Sequence, residues 1–188
     1  MQKFPLTLGL ALILVCGVSA QQAQKNQAEN RAKDKEDLSN VSDQDFVMRV
    51  GMGNMAEVEM GRLALKQTQN ADMRKFAQRL VDDHTKANQE LAKIASSKGI
   101  NLPRQIGKEH RETATKLAKM RGADFDRAFA TDMVEDHKKD IALFEHEAKN
   151  GKDKAIKAWA EKTLPTLKEH LKMAQDLAGE KGGKTEKR

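Results

Sequence analysis

Apolar residues recur every three or four positions along most of the chain, and this spacing is typical of one face of an α-helix. Four long segments carry the pattern. The first begins at a capping-box signal, in which Ser42 is followed three residues later by Asp45. A turn around Asn70 separates it from the second segment. The third long helix is predicted over residues 123–149 and the fourth over residues 153–178.

The lengths of the connections predict how these helices are arranged. Short turns join the first helix to the second and the third to the fourth, so each pair is expected to form antiparallel neighbours. Between the pairs lies a long connection that contains Pro103 and a predicted short helix over residues 108–120. The sequence therefore predicts an all-α fold, a ferritin-like four-helix bundle with a long crossover that carries a short extra helix between helices two and three.

Residues 1–20 have the features of a signal peptide. Lys3 precedes an apolar stretch that is too short for a firm membrane span, and small residues end at Ala20. Cleavage there predicts an exported, periplasmic protein, and an uncleaved N-terminal anchor is the alternative. The single cysteine, Cys16, lies within this segment, so the mature chain is expected to use neither disulfides nor thiol chemistry.

Composition marks the limits of the predicted folded domain. Residues 21–42 are polar and charged with almost no large apolar side chain, which predicts a flexible tether. Residues 179–188 are rich in glycine and lysine and are predicted to form a disordered tail. The helical bundle is therefore expected to occupy residues 43–178.

The charge pattern argues against two classes of function. The formal net charge is +6, but acidic and basic residues are interleaved, without the basic block and aromatic residues typical of nucleic-acid binding. The sequence therefore predicts no nucleic-acid partner. No Ser/His/Asp or Cys/His arrangement stands out, so a hydrolase is not indicated and the interpretation leans away from an enzyme.

One short pattern occurs twice, as FAQRLVDDH at residues 76–84 and as FATDMVEDH at residues 129–137. The chain has 5 histidines, and helical geometry of about 100° per residue separates them by the face on which they lie. His84 and His137 each lie in the middle of an apolar stripe, and His170 lies on the inward face of the fourth helix. Three histidines from three long helices are therefore expected to point into one interior.

Two interpretations of these histidines stay open. A single inward histidine is more often a hydrogen-bonded core residue than a metal ligand, and three of them can form a structural hydrogen-bond network. Burying three imidazoles without partners costs on the order of several kcal/mol, and a shared metal would offset that cost. Imidazoles with at most one carboxylate suit iron, zinc or copper better than magnesium or calcium. A transition metal ion is therefore the candidate cofactor and partner.

The first helix is expected to supply an acidic ligand if a metal is bound. Glu57 lies at the edge of the inward stripe of that helix, and Glu59 is the fallback. On the third helix, Asp140 lies one turn after His137 near the same edge. The predicted metal ligands are His84, His137, His170, Glu57 and Asp140.

The acids that precede two of the histidines have a different expected role. Asp83 and Asp136 lie about 100° away from the apolar stripes, so they are expected to be solvated surface charges or, if they act at the site, supporting or interhelix partners. A standard di-iron centre is not predicted, because it uses Glu-x-x-His motifs and none precedes these histidines. A mononuclear, histidine-rich site, or no metal site, fits the sequence better.

Three segments carry a resemblance to a known family. They are AEVEMGRLALKQTQNADMRKFAQRLVDDHTKANQELAKIASSKGI, GADFDRAFATDMVEDHKKDIALFEHEAK and WAEKTLPTLKEHLKMAQDLA. Over about residues 43–178 the chain resembles the bacterial domain-of-unknown-function family four-one-four-two. The resemblance implies an exported ferritin-like bundle, often labelled as a periplasmic or outer-membrane protein, with no settled activity. The positions that match its recurring motifs are Glu57, Glu59, Asp83, His84, Asp136, His137, Pro165 and His170.

These expectations lead to two functional hypotheses. The first is an exported ferritin-like protein that binds a transition metal in the bundle core, with a role in metal handling or in envelope or oxidative stress. The second is a non-enzymatic structural or interaction protein of the cell envelope, in which the buried histidines form a hydrogen-bond network. Both allow peripheral association with the envelope.

Overall fold

The computed structural model describes residues 37–179, so the predicted signal peptide, most of the predicted tether and nearly all of the predicted tail lie outside the described residues. Within that range the chain forms five α-helices and no strand, which confirms the expected all-α class. The helices are α1 (Asp43–Gln67), α2 (Ala71–Ser97), α3 (Lys108–Ala118), α4 (Gly122–Asn150) and α5 (Lys154–Ala178). None of these helices has both the length and the apolar composition that crossing a bilayer requires.

Local sequence explains where several helices begin and end. The Ser42 hydroxyl accepts a hydrogen bond from the Asp45 N–H at 3.1 Å, and the Asp45 carboxylate accepts one from the Ser42 N–H at 3.1 Å, which is the predicted capping box. Asn70 and Asp153 cap α2 and α5, because their side chains accept hydrogen bonds from backbone N–H groups of the first turn. Gly179 ends α5 with φ 79°, a left-handed conformation that favours glycine.

The four long helices enclose one interior. α1 packs mainly against α2 and α4 against α5, and fewer contacts join α2 to α5 and α1 to α4. The short helix α3 lies against α1 and α4. The interior holds two groups of buried apolar residues, one around Phe76 and Phe129 and the other around Phe46, Phe144 and Trp159. Phe76 and Phe129, which begin the two similar segments, contact each other edge to face with ring centroids 6.2 Å apart.

Two details of the packing bear on the predictions. Leu38 and Val41, at the described end of the predicted tether, pack against the second apolar group. α1 and α2 approach closely at Gly61, where an added Cβ would lie 2.9 Å from Val81 Cγ2 and 3.0 Å from the carbonyl oxygen of Ala77. The absence of a side chain at Gly61 therefore permits the close packing of this helix pair.

Candidate metal centre

Three histidines from three helices meet in the interior. His84 on α2, His137 on α4 and His170 on α5 are 2%, 0% and 0% exposed. One ring nitrogen of each lies within 4.8 Å of those of the other two. Along each of these helices the histidine lies between members of the two apolar groups, so the cluster divides the core. Helical spacing correctly placed these side chains in the interior, and their role as ligands stays a prediction.

His137 and His170 each hold one ring nitrogen against a protein acceptor. His137 Nδ1–H donates to the Met133 carbonyl oxygen at 3.0 Å, and His170 Nε2–H donates to the Asp83 carboxylate at 2.9 Å. Because these acceptors take the protonated nitrogens, the opposite nitrogen of each neutral ring carries a lone pair. Metal-binding histidines are usually oriented in this way, with the second nitrogen bound to a carbonyl or a carboxylate.

His84 is oriented by two asparagines. Its Nδ1–H donates to Asn54 Oδ1 at 2.9 Å, and Asn54 Nδ2 donates to Asn88 Oδ1 at 3.3 Å, which fixes the orientation of the Asn54 amide. His84 Nε2 is buried and has no hydrogen-bond partner among residues 37–179. An unsatisfied buried polar atom costs on the order of 1–3 kcal/mol. This nitrogen therefore requires a partner that the described side chains do not supply.

The lone pairs of His137 and His170 face each other. His137 Nε2 lies 3.3 Å from His170 Nδ1, and two lone pairs at this distance repel each other unless a cation balances them. Two imidazoles on one tetrahedral ion place their nitrogens roughly 3.3 Å apart, given metal–nitrogen bonds of about 2.0–2.1 Å. His137 Nε2 and His170 Nδ1 are therefore already as far apart as two ligands of one metal ion. His84, within 4.8 Å, would have to approach by at most roughly 1.5 Å.

Glu57 on α1 lies beside the cluster with 2% of its surface exposed. Its Oε2 lies 2.9 Å from His84 Nδ1, and its Oε1 lies 3.4 Å from His137 Nδ1. Neither oxygen accepts a well-aligned hydrogen bond within the described part of the chain, because the two ring N–H groups point to Asn54 and Met133. Glu57 is therefore a buried carboxylate that lies close to the imidazoles without a dedicated donor.

The protonation states of the cluster favour a cation. Burial acts to raise the pKa of Glu57, but the neighbouring imidazoles of His84 and His137 outweigh it and lower the pKa to about 2. Burial lowers the pKa of His137, and burial together with the neighbouring imidazoles lowers the pKa of His170 to about 4. At neutral pH the site thus combines an ionised carboxylate with neutral His137 and His170, and the neutral form of imidazole is the one that binds metals.

The other predicted acids lie around the cluster rather than in it. Asp140 is partly exposed on α4 and Glu59 is exposed on α1, and neither belongs to the group of converging ligand atoms. Asp83 links two helices, because it accepts from His170 on α5 and from Arg79 Nε on α2 at 3.2 Å. The same guanidinium group also binds Glu169 on α5.

Sequence reasoning missed the supporting roles of three polar side chains. Asn54 and Asn88 lie on the inward faces of α1 and α2, and two asparagines on apolar faces are a signal for a buried polar pair. Arg79 lies four residues before Asp83, and this spacing brings the two side chains together on one helix face.

A cleft of about 100 Å³ between α2 and α5 leads to the cluster. His84, His170 and Asn54 line its inner part, and Glu90 and Lys162 also line it. At about 30 Å³ for each water molecule, the cleft has room for roughly three waters. His84 and His170 therefore lie along a cleft that opens toward solvent, and His137 does not line it.

These features define a class of protein, in which four long helices enclose a buried cluster of three histidines. The chain belongs to the family described as domain of unknown function (DUF4142), whose model it matches over residues 21–177. This match confirms the family resemblance. No similar sequence is found among curated proteins.

Several solved structures share the fold. A DUF305 fragment from Deinococcus radiodurans has a TM-score of 0.65 and 13% identity, and the match covers 74% of this chain and 96% of that one. A candidate secreted DUF305 protein from Streptomyces coelicolor has a TM-score of 0.64 and 13% identity, with 78% and 97% covered. CopM in its Cu(I)-bound form has a TM-score of 0.64 and 14% identity, with 77% and 100% covered. At these identities the similarity shows the fold alone.

Proposed function

We propose that this protein is an exported, ferritin-like bundle that binds a transition metal through His84, His137 and His170. Its role would be metal handling or protection of the envelope against oxidative stress. The observation that carries the proposal is the convergence of three imidazole nitrogens in a buried site beside the buried Glu57 carboxylate. Glu57 is the favoured acidic ligand, and Asp140, one turn after His137, is the alternative.

Copper is the first ion to test. A ligand set dominated by imidazole suits copper, zinc and iron. CopM, which shares the fold, has been solved in Cu(I)-bound and Cu(II)-bound forms, and this supports copper among the three. The N-terminal pattern of residues 1–20 and the similarity to a candidate secreted protein support export to the periplasm, with peripheral association with the outer membrane as a further proposal.

The metal content of the reconstituted protein tests the proposal. The chain is loaded with copper, zinc or iron and desalted, and a single ion per chain is expected for at least one metal. His137→Ala should lose that ion. His146→Ala is the matched control, because His146 lies on the same helix but is partly exposed, with its Nδ1 3.1 Å from Asn150 Nδ2. Unchanged metal content in His137→Ala, with the fold intact by circular dichroism, would contradict the proposal.

A structural role is the second candidate. The observation that favours it is the series of contacts from His170 through Asp83 and Arg79 to Glu169, which joins α5 to α2 without any metal. A specific ion at a hundredfold excess over its dissociation constant stabilises the folded state by about 2.7 kcal/mol. Thermal unfolding with and without copper separates the candidates, because a purely structural network predicts equal melting temperatures.

A further inference from the structure

We infer that metal ions enter the site through the cleft between α2 and α5, and that the Glu90–Lys162 ion pair at its mouth sets the rate of entry. The inference rests on the metal binding proposed above and concerns residues that bind no metal in the final complex. It assigns a function to an ion pair that the histidine cluster does not explain.

Burial makes a defined route necessary. His84 and His170 are at most 2% exposed, yet both line the cleft, so an ion that enters from this side would meet their rings first. The volume of about 100 Å³ holds roughly three waters, which is enough for an ion that keeps part of its hydration shell. Thr163 and Thr166 also line the cleft, and their hydroxyl groups are suited to replace some of those waters.

The mouth of the cleft is bridged by an ion pair. Lys162 Nζ on α5 lies 3.1 Å and 3.0 Å from the two carboxylate oxygens of Glu90 on α2. Trp159 Nε1 donates to the same carboxylate at 3.2 Å and holds it in place. The lysine side chain is 67% exposed, so it is free to swing away, whereas the glutamate is 29% exposed and anchored. An approaching cation therefore meets the lysine charge first and the carboxylate once the lysine has moved.

This arrangement predicts opposite effects for the two partners. One unit charge about 8 Å from a divalent cation contributes about 1 kcal/mol in water, or roughly a fivefold change in rate. Lys162→Met keeps the length of the side chain and removes the repulsive charge, so it should accelerate copper entry roughly fivefold. Glu90→Gln should slow entry by a similar factor. The ion crosses the mouth on release as well as on entry, so each variant should change both rate constants by a similar factor. The dissociation constant should therefore stay within about twofold of the wild-type value.

Stopped-flow fluorescence with Cu²⁺ alone measures these rates in the full chain. The protein has a single tryptophan, Trp159, and its indole N–H donates to Glu90 at the mouth of the cleft, so copper binding should quench its emission. Lys172→Met is the matched control, because Lys172 lies on the same helix but does not line the cleft. Its Nζ forms an ion pair with Asp176 Oδ2 at 2.6 Å. A second pair of variants tests the route sterically. Ala87→Leu, which narrows the cleft, should slow entry and release together, and Ala92→Leu on the outer face of α2 should not.

The outcomes separate this inference from the proposed function. If wild-type protein binds copper at equilibrium but Lys162→Met enters no faster than Lys172→Met, the metal site stands and the entry route is wrong. The route is equally wrong if Ala87→Leu leaves both rates unchanged. If Glu90→Gln lowers the affinity as much as the entry rate, Glu90 acts in the bound complex and the inference is overturned. If wild-type protein binds no metal, both proposals fail.

Discussion

The two similar segments end in the same pattern of valine, acid, aspartate and histidine, but their aspartates have opposite environments. Burial acts to raise the pKa of Asp83, and its hydrogen bonds to His170 and to an arginine outweigh this and lower the pKa. Burial raises the pKa of Asp136 to about 7, and the charge of Asp132 adds to that shift. Similar local sequence therefore produces one ionised supporting group and one that stays partly protonated near neutral pH.

The histidines of the two segments differ as well. His137 is oriented by the carbonyl of Met133 in its own helix, so its position follows from α4 alone. His84 is oriented by Asn54, which belongs to α1, so its position depends on how α1 and α2 pack. The comparison shows that the segments supply the inward histidines, whereas the neighbouring helices decide the protonation and orientation of each group.

The largest effect is expected at acid pH and concerns His170, which Asp83 supports. Its folded pKa of about 4 lies below the ordinary value of 6.5, so the unfolded chain takes up the proton first as the pH falls. Above about pH 6.5 the neutral His170 therefore contributes about 3 kcal/mol to the free energy of unfolding. This contribution is lost as the pH falls from about 6.5 to about 4. Urea unfolding of the metal-free protein over this range measures it.

Wild type and His146→Ala should lose the same stability over this range, because His146 lies outside the cluster. Copper-loaded protein should be more stable than the metal-free protein over this range, because the ion binds the folded state. It should lose stability with a similar slope, because the proton is taken up by the unfolded chain. A free energy of unfolding that stays constant from about pH 6.5 to about pH 4 in the metal-free protein would show that the buried histidine does not titrate as described.

The next effect compares the two aspartates directly through metal affinity. Asp83→Asn removes the carboxylate behind His170, and loss of such a supporting group typically weakens metal binding by about 10–100-fold. Asp136→Asn changes the equivalent position of the other segment and touches no ring nitrogen, so a change within about twofold is expected. Competition between the protein and a copper chelator measures both. Equal losses in the two variants would mean that the environments of these aspartates do not matter for the site.

Part of this difference was open to prediction from the sequence. Whether a side chain faces inward depends on its own helix, so periodicity sufficed for the three histidines. The residue four positions before Asp83 is Arg79, and the residue four positions before Asp136 is Asp132. At this spacing a basic residue stabilises a carboxylate and an acidic residue destabilises it. The difference in pKa between Asp83 and Asp136 is therefore predictable from residues one helical turn away, which occupy a variable position of the repeated pattern.

Other features were beyond prediction from a single sequence. Glu57 and Asp140 were both expected at the edge of an inward stripe, where a rotation of a few tens of degrees separates a buried from a partly exposed side chain. The structure buries Glu57 and leaves Asp140 partly exposed. Likewise, the contact between Asn54 and His84 joins residues on different helices. Such contacts depend on the packing of helix pairs, which periodicity within one helix does not report.

The first segment also differs from the second in how closely another helix approaches it. Gly61→Ala would place a Cβ 2.9 Å from Val81 Cγ2 and 3.0 Å from the Ala77 carbonyl oxygen, so it should destabilise the protein by about 1–3 kcal/mol. Gly53→Ala in the same helix has no atom within 4 Å of the new Cβ and should stabilise it by about 0.5–1 kcal/mol. Thermal melts compare them, and a similar shift in both would refute the close approach.

The smallest effect concerns Asp136 as the pH rises from about 4 through about 7. Its folded pKa of about 7 lies above the ordinary 3.8, so the folded state binds more protons, and the contribution to stability is complete below about pH 3.8 and is lost as the pH rises through about 7. Because solvent screens this partly exposed side chain, its contribution to the free energy of unfolding is expected to be on the order of 1 kcal/mol. Asp136→Asn removes this loss, so its stability relative to wild type should increase between about pH 5 and about pH 8.

Asp83→Asn supplies the contrast for that measurement. The low pKa of Asp83 means that its contribution is fully present at neutral and alkaline pH, so the difference between this variant and wild type should stay constant over the same range. Urea unfolding at each pH gives both differences. If the two variants follow parallel curves, the carboxylates around Asp136 do not distinguish it from Asp83. The similar segments would then be equivalent in electrostatics as well as in sequence, and only the partners of their histidines would separate them.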